Sequence, residues 1–136
     1  MKKKKLILNK KDYERLNEMI MKTGGEIKKQ YLKDLRNEIE NADIVNPEQI
    51  PADYITMNSK IRFKDIETEE SFIFTIVYPS DADTGQGKMS VLAPIGTALL
   101  GNRVGDIISW QVPDGQKKFR VEEILYQPEA NKNFDL

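Results

Sequence analysis

Carboxylates close enough to share a metal ion are the first chemistry to look for in a chain that lacks both cysteine and histidine. Magnesium takes hard oxygen ligands, and a hydrolytic metal pair sits within ~4 Å, so single acids do not suffice. Glu26 stands at a turn that reads Met21-Lys22-Thr23-Gly24-Gly25-Glu26-Ile27-Lys28. It is the only carboxylate there, and Lys22, Lys28 and Lys29 surround it. Cations keep such a group ionised but give it no partner for a metal. Its ordinary role is an acid in the first turn of a helix. Asp81, Asp83 and Gly85 have some calcium-loop spacing but no later glutamate ligand, which leaves a solvated loop. Glu67, Glu69 and Glu70 read as a hairpin tip in water. Without histidine the commonest general base is missing, and without cysteine so is thiolate chemistry. The expectation is a binding protein, not an enzyme, with no catalytic residue, metal or cofactor.

Two apolar features complete the candidates. Met19 and Met21, near the same turn, read as packing residues. Trp110 is a lone strand aromatic expected in a half-buried core position.

The elements that must position these residues fall into two modules. Asn9 can cap a helix over about residues 10–22, with Asp12 in its first turn and Tyr13, Leu16, Met19 and Ile20 along one face. Thr23-Gly24-Gly25 breaks that pattern. A second helix over about 26–42 carries Ile27, Tyr31, Leu35, Ile39 and Ala42 on one stripe, so the pair forms a short antiparallel hairpin. Asn46-Pro47-Glu48-Gln49-Ile50-Pro51 ends the helical region, because two prolines cannot sit inside a continuing helix. The expected modules are 1–46 and 47–136.

Beyond the prolines the apolar pattern alternates. Residues 54–57 with 59–63 form one strand region, 71–78 another, and Asp114-Gly115 turns the chain into a last strand over 119–126. Met89 to Trp110 reads as strand, Pro94, a short helix over 95–100, Gly101, a Val104-Gly105-Asp106 turn, then strand. The fold class is α+β: a helical hairpin followed by a mainly antiparallel sheet carrying one short helix.

The charge is uneven. Residues 1–46 carry 12 Lys/Arg against 8 Asp/Glu, whereas 47–136 carry 9 against 14. The Lys2–Lys5 run accounts for much of the first excess, and a mobile basic tail is a weaker basis for DNA contact than a basic face. Hydrophobic residues make up 39% and charged residues 32% of the chain, the balance of a folded soluble protein. No apolar run approaches a membrane span. Leu6-Ile7-Leu8 is too short for the core of a secretory signal, so the expected location is cytoplasmic.

Met89-Ser-Val-Leu-Ala-Pro-Ile-Gly-Thr-Ala-Leu-Leu-Gly101 with Gly105-Asp106 resembles the core of the GreA/GreB family of transcription elongation factors. Asn9 with its helix, residues 55–63, Val77-Tyr78-Pro79 and Tyr126-Gln-Pro-Glu-Ala130 look like the Rnk-type branch, named for regulation of nucleoside diphosphate kinase. The resemblance implies a coiled-coil hairpin and an FKBP-like C-terminal domain. It also implies docking on bacterial RNA polymerase at the secondary channel, where Gre factors grip the rim through the loop before the short helix. The matching residues are Leu92, Ala93, Pro94 and Ile95. The Gre pattern has an acidic or amide residue and a serine before the proline, whereas Leu92-Ala93 fits the Rnk-type version.

Gre factors stimulate transcript cleavage through acidic residues at the hairpin tip. Here the matching residues are Lys22, Thr23, Gly24, Gly25 and Glu26, with one acid among them. The resulting expectation is a non-catalytic transcription regulator that binds RNA polymerase and competes with Gre-type factors. A cleavage-stimulating elongation factor and an FKBP-like prolyl isomerase are the alternatives. No phosphate-binding glycine loop or catalytic histidine supports direct action on nucleoside diphosphate kinase. Direct nucleic-acid contact is compatible with this reading but not required by it.

Overall fold

A computed structural model describes residues 6–23, 30–112 and 115–131. Lys2–Lys5, Gly24, Gly25, Glu26, Ile27, Lys28 and Lys29 lie outside the described residues, as does the Trp110 side chain. The described residues form an α+β fold, with three α-helices and a mixed sheet among them.

Helix α1 spans Lys10–Thr23 and α2 spans Gln30–Glu40. Asn9 caps α1 as its side-chain oxygen accepts the Asp12 N–H at 2.8 Å. Leu16 and Ile20 of α1 are buried with Leu35 and Ile39 of α2, each worth about 2 kcal/mol of apolar transfer. Tyr13 and Met19 are partly buried against them, and Met21 is exposed. These side chains share one continuous cluster with Ile55, Ile61, Val91, Leu99 and Phe119. The helical pair is therefore packed into the same core as the sheet.

Strands β1 (Ile7–Leu8) and β2 (Asp43–Ile44) pair in parallel at the base of the helices. Two-residue strands leave no alternating pattern in the sequence, and neither was expected. The main sheet contains β3 (Lys60–Asp65), β4 (Ser71–Val77), β5 (Lys88–Ser90), β6 (Ile107–Val112) and β7 (Gly115–Tyr126), in the order β5-β4-β3-β7-β6. A short helix, α3 (Pro94–Leu99), follows β5.

Three expectations need correction. First, the sheet is mainly antiparallel as expected, through β4-β3, β3-β7 and β7-β6, but β5 runs parallel to β4 and makes it mixed. Residues 78–87, with 3-10 turns at Pro79–Asp81 and Thr84–Gln86, are long enough to carry the chain back for a parallel pairing. Second, residues 54–57 are not a strand. Ile55 and Met57 are buried, but Asn58 takes φ +66 and turns the chain before β3 begins. Third, the strand expected to run from Met89 up to Pro94 stops at Ser90, so Val91 and Leu92 are not part of β5. They form the turn that enters α3.

Candidate functional site

The turn before α3 is held from several directions. Val91 N–H donates to the Val77 carbonyl at 2.9 Å and Ala93 N–H to that of Ser90 at 3.0 Å. Leu92 N–H donates to Ser90 Oγ at 3.0 Å. The buried Thr97 hydroxyl reaches back to the Val91 carbonyl at 2.5 Å. Pro94 occupies the first turn of the helix, where its missing N–H costs nothing. Gly96 packs against the turn so closely that a Cβ would run into the Ser90 carbonyl. This is a stiff connection, and Pro94 is its exposed residue. Leu92 and Ala93 are half-buried. Ile95 is only 6% exposed and belongs to the core, so the expectation that it is presented to a partner is corrected. Its position on the inward side of the first helical turn is the cause.

The chain after α3 is equally constrained. Gly101 has φ +86, and its N–H donates to the Ile55 carbonyl at 3.1 Å. Gly105 has φ +94, with its N–H on the Val121 carbonyl at 2.8 Å, and Asp106 accepts the Arg103 N–H at 2.8 Å. Arg103 also forks onto Asp53, with contacts of 2.9 and 3.3 Å. That guanidinium holds the Asp53 carboxyl below its usual range.

The hairpin tip is described only at its start. Lys22 is exposed and pairs with Glu18 at 3.2 Å. Thr23 is the last residue of α1, while Gly24, Gly25 and Glu26 fall in the undescribed connection. In the loop after β4, Asp83 Oδ1 accepts the Gly85 N–H at 3.1 Å, so this acid organises its own turn.

A buried polar network that sequence reasoning missed lies where the helices meet the sheet. Asp12 is 4% exposed. Its Oδ1 accepts the Tyr78 hydroxyl at 2.7 Å, and its Oδ2 accepts the Asn9 amide at 3.2 Å. The same amide donates to Glu129 Oε2 at 2.9 Å. Glu129 Oε1 accepts the Thr56 hydroxyl at 2.7 Å, and Thr56 Oγ1 lies 3.0 Å from Ser59 Oγ. The Arg15 guanidinium caps the Tyr78 ring, 4.0 Å from its centroid. Beside it, Gln127 Nε2 donates to the Pro51 and Tyr54 carbonyls at 2.7 and 2.6 Å, while the Tyr54 hydroxyl accepts the Ile7 N–H at 2.8 Å. Among the described residues no buried side-chain nitrogen or oxygen is left without a partner.

The electrostatics follow from burial. Desolvation pushes the Asp12 carboxyl up to about 6; the Tyr78 hydrogen bond and Arg15 oppose that rise, and the Glu129 charge adds to it. Desolvation likewise raises the Tyr54 hydroxyl to about 12 and the Tyr78 hydroxyl still further, the latter also by its negatively charged neighbour Asp12. The network is an anchor: it ties the first turn of α1 to the end of β4, the 56–59 turn and the Tyr126-Gln127-Pro128-Glu129-Ala130 segment. Its sequence signals were Asn9 with its helix, residues 55–63, Val77-Tyr78-Pro79 and that last segment, each named as a family mark and none as part of a clasp.

Comparison with known proteins gives a consistent picture. Residues 50–126 match the family model described as "Transcription elongation factor, GreA/GreB, C-term". The chain is 42% identical over 97 residues to the "Regulator of nucleoside diphosphate kinase" of Escherichia coli (strain K12), covering 71% of each. It is 39% identical over 90 residues to the "Transcription elongation factor GreA" of Acetivibrio thermocellus, covering 66% of this chain and 57% of that one. Among solved structures, a GreA/GreB elongation factor from Nitrosomonas europaea superposes with a TM-score of 0.76 at 39% identity. The match covers 90% of this chain and 98% of that one.

Proposed function

Since the chain belongs to the GreA/GreB family of transcription elongation factors, we propose that it is a non-catalytic regulator that docks on RNA polymerase at the rim of the secondary channel and competes there with Gre-type factors. The observation that carries this reading is the turn from Leu92 to Pro94. It offers one exposed proline and two half-buried apolar residues on a frame fixed by Ser90, Gly96 and Thr97. A rigid apolar projection binds with little ordering cost. Residues 47–136 act as the grip, in an FKBP-like arrangement. Residues 1–46 act as a short coiled-coil probe whose tip, Lys22 to Glu26, carries one lysine and one carboxylate, with Lys28 and Lys29 just beyond. A single acid among lysines does not assemble the close oxygen pair that metal-assisted cleavage needs. The polymerase is a bacterial one, and the protein works in the cytoplasm.

Retention of core RNA polymerase on the immobilised protein tests the docking. Wild type retains it, and Pro94→Gly and Ala93→Asp release most of it while melting at nearly the wild-type temperature. Wild type without retention, or both variants retaining polymerase as well as it does, contradicts the assigned surface.

A further inference from the structure

The main sheet turns one face to the core and leaves the other open, and the open face is basic. Along β3, Ile61, Phe63 and Asp65 are buried, while the alternating Lys60, Arg62 and Lys64 lie on the opposite side. On β7, Phe119 and Val121 are buried and Lys118 and Arg120 are exposed. Lys88 of β5 pairs with Thr75, which pairs in turn with Lys60, so it continues the same surface. Ile73 and Ile107 on this side are 47% and 52% exposed. Six of the nine Lys/Arg of residues 47–136 thus share one face of a segment that holds fourteen acids. The acids on it are Glu123, joined to Arg62 at 2.7 Å, and Asp83, the bridge partner of Lys88, with Glu122 at the neighbouring bulge. Among the described residues no ion pair engages Lys60, Lys64, Lys88, Lys118 or Arg120. Lys64 and Arg120 are direct cross-strand partners. Like charges facing each other across a ladder oppose folding, and folding gives no reason to place them there.

We propose that this face is a docking surface for the phosphate backbone of a nucleic-acid duplex. Cations recur at ~6.8 Å along the strands and ~4.8 Å between them, a grid suited to a polyanion. Phe63 stacks on Phe72 and Phe74, and Phe119 meets Phe63 and Phe72 edge to face, all on the inward side. They present no platform for unpaired bases, so contact is with the backbone and is independent of sequence. This inference does not rest on the docking at Leu92–Pro94.

Fluorescence anisotropy of a labelled 20-base-pair DNA duplex of arbitrary sequence, titrated with the full chain at about 25–200 mM salt, reads the interaction. Wild type binds in the micromolar range at low salt, with log K falling against log salt with a slope of up to about −4.5, the limit for five free cations. The double variant Lys64→Glu/Arg120→Glu loses at least about tenfold in affinity and about two units of slope. A chain with Lys2–Lys5 changed to glutamine keeps most of its affinity, and Arg103→Glu, away from this face, changes little. No binding at low salt overturns the proposal. So does a double variant that melts normally and binds as well as wild type, or binding that disappears with Lys2–Lys5 alone. If the double variant keeps its DNA affinity but loses RNA polymerase, the face belongs to an acidic protein surface and the proposal is wrong.

Discussion

Asp12 makes the stability of this protein depend on pH in an unusual direction for a carboxylate. Its folded pKa is about 6, against 3.8 for the free group. Between those values the folded chain holds a proton that the unfolded chain releases, so stability falls as pH rises. The contribution is complete below about pH 4 and is lost as pH passes 6. Two pKa units correspond to about 3 kcal/mol, with a steepest slope of about 1.4 kcal/mol per pH unit. Asp53 acts the other way: its lowered pKa gives a contribution present above pH 3.8 and lost only below it, outside this window. Urea unfolding followed by circular dichroism at constant ionic strength, from pH 4.5 to 7.5, measures the slope. Asp12→Asn keeps an oxygen for the Tyr78 hydroxyl but cannot ionise. At pH 7.5 it is expected to be more stable than wild type by up to about 2 kcal/mol, the ionisation cost less about 1 kcal/mol for the lost Asn9 bond. By pH 4.5 that advantage disappears. A stability difference between the two proteins that stays constant across the range refutes the assignment of the titration to Asp12.

Other outcomes follow from the same contacts. Tyr78→Phe leaves Asp12 Oδ1 without its donor, which costs about 1–3 kcal/mol in urea unfolding and moves the Asp12 titration to still higher pH. Gly96→Ala forces a methyl group against the Ser90 carbonyl, so thermal melting should show a loss of about 1–3 kcal/mol. Arg103→Ala removes an exposed ion pair and should change stability by less than about 1 kcal/mol, despite its two short contacts.

Local signals made much of the fold legible. Asn9 as a cap, the period of Leu16 and Ile20, Pro94 at the start of a helix and the Gly105-Asp106 turn each depend on neighbours within a few residues. The parts that were missed depend on distant partners. Asp12 looked like an acid offsetting a helix dipole, and only Tyr78 and Glu129, 66 and 117 positions away, turn it into a buried group. Ile55 and Met57 alternate as a strand would, yet they plug the core from a turn that Asn58 and Ser59 close. The parallel partnership of β4 and β5 reflects how the 78–87 connection folds, not the apolar pattern of either strand. The Leu92–Pro94 surface was named from a resemblance. Its rigidity comes from Gly96 and Thr97, whose contacts with residues 90 and 91 the sequence does not display.

The most direct test of the proposed function uses a backtracked RNA polymerase complex, with transcript shortening followed on a gel. Added alone, the protein should leave the transcript length unchanged. Added with GreA, it should slow GreA-stimulated cleavage in proportion to its concentration, and Pro94→Gly should slow it far less. Shortening stimulated by the protein alone, or GreA activity unaffected by a large excess of it, would contradict the proposal of a competing, non-catalytic regulator.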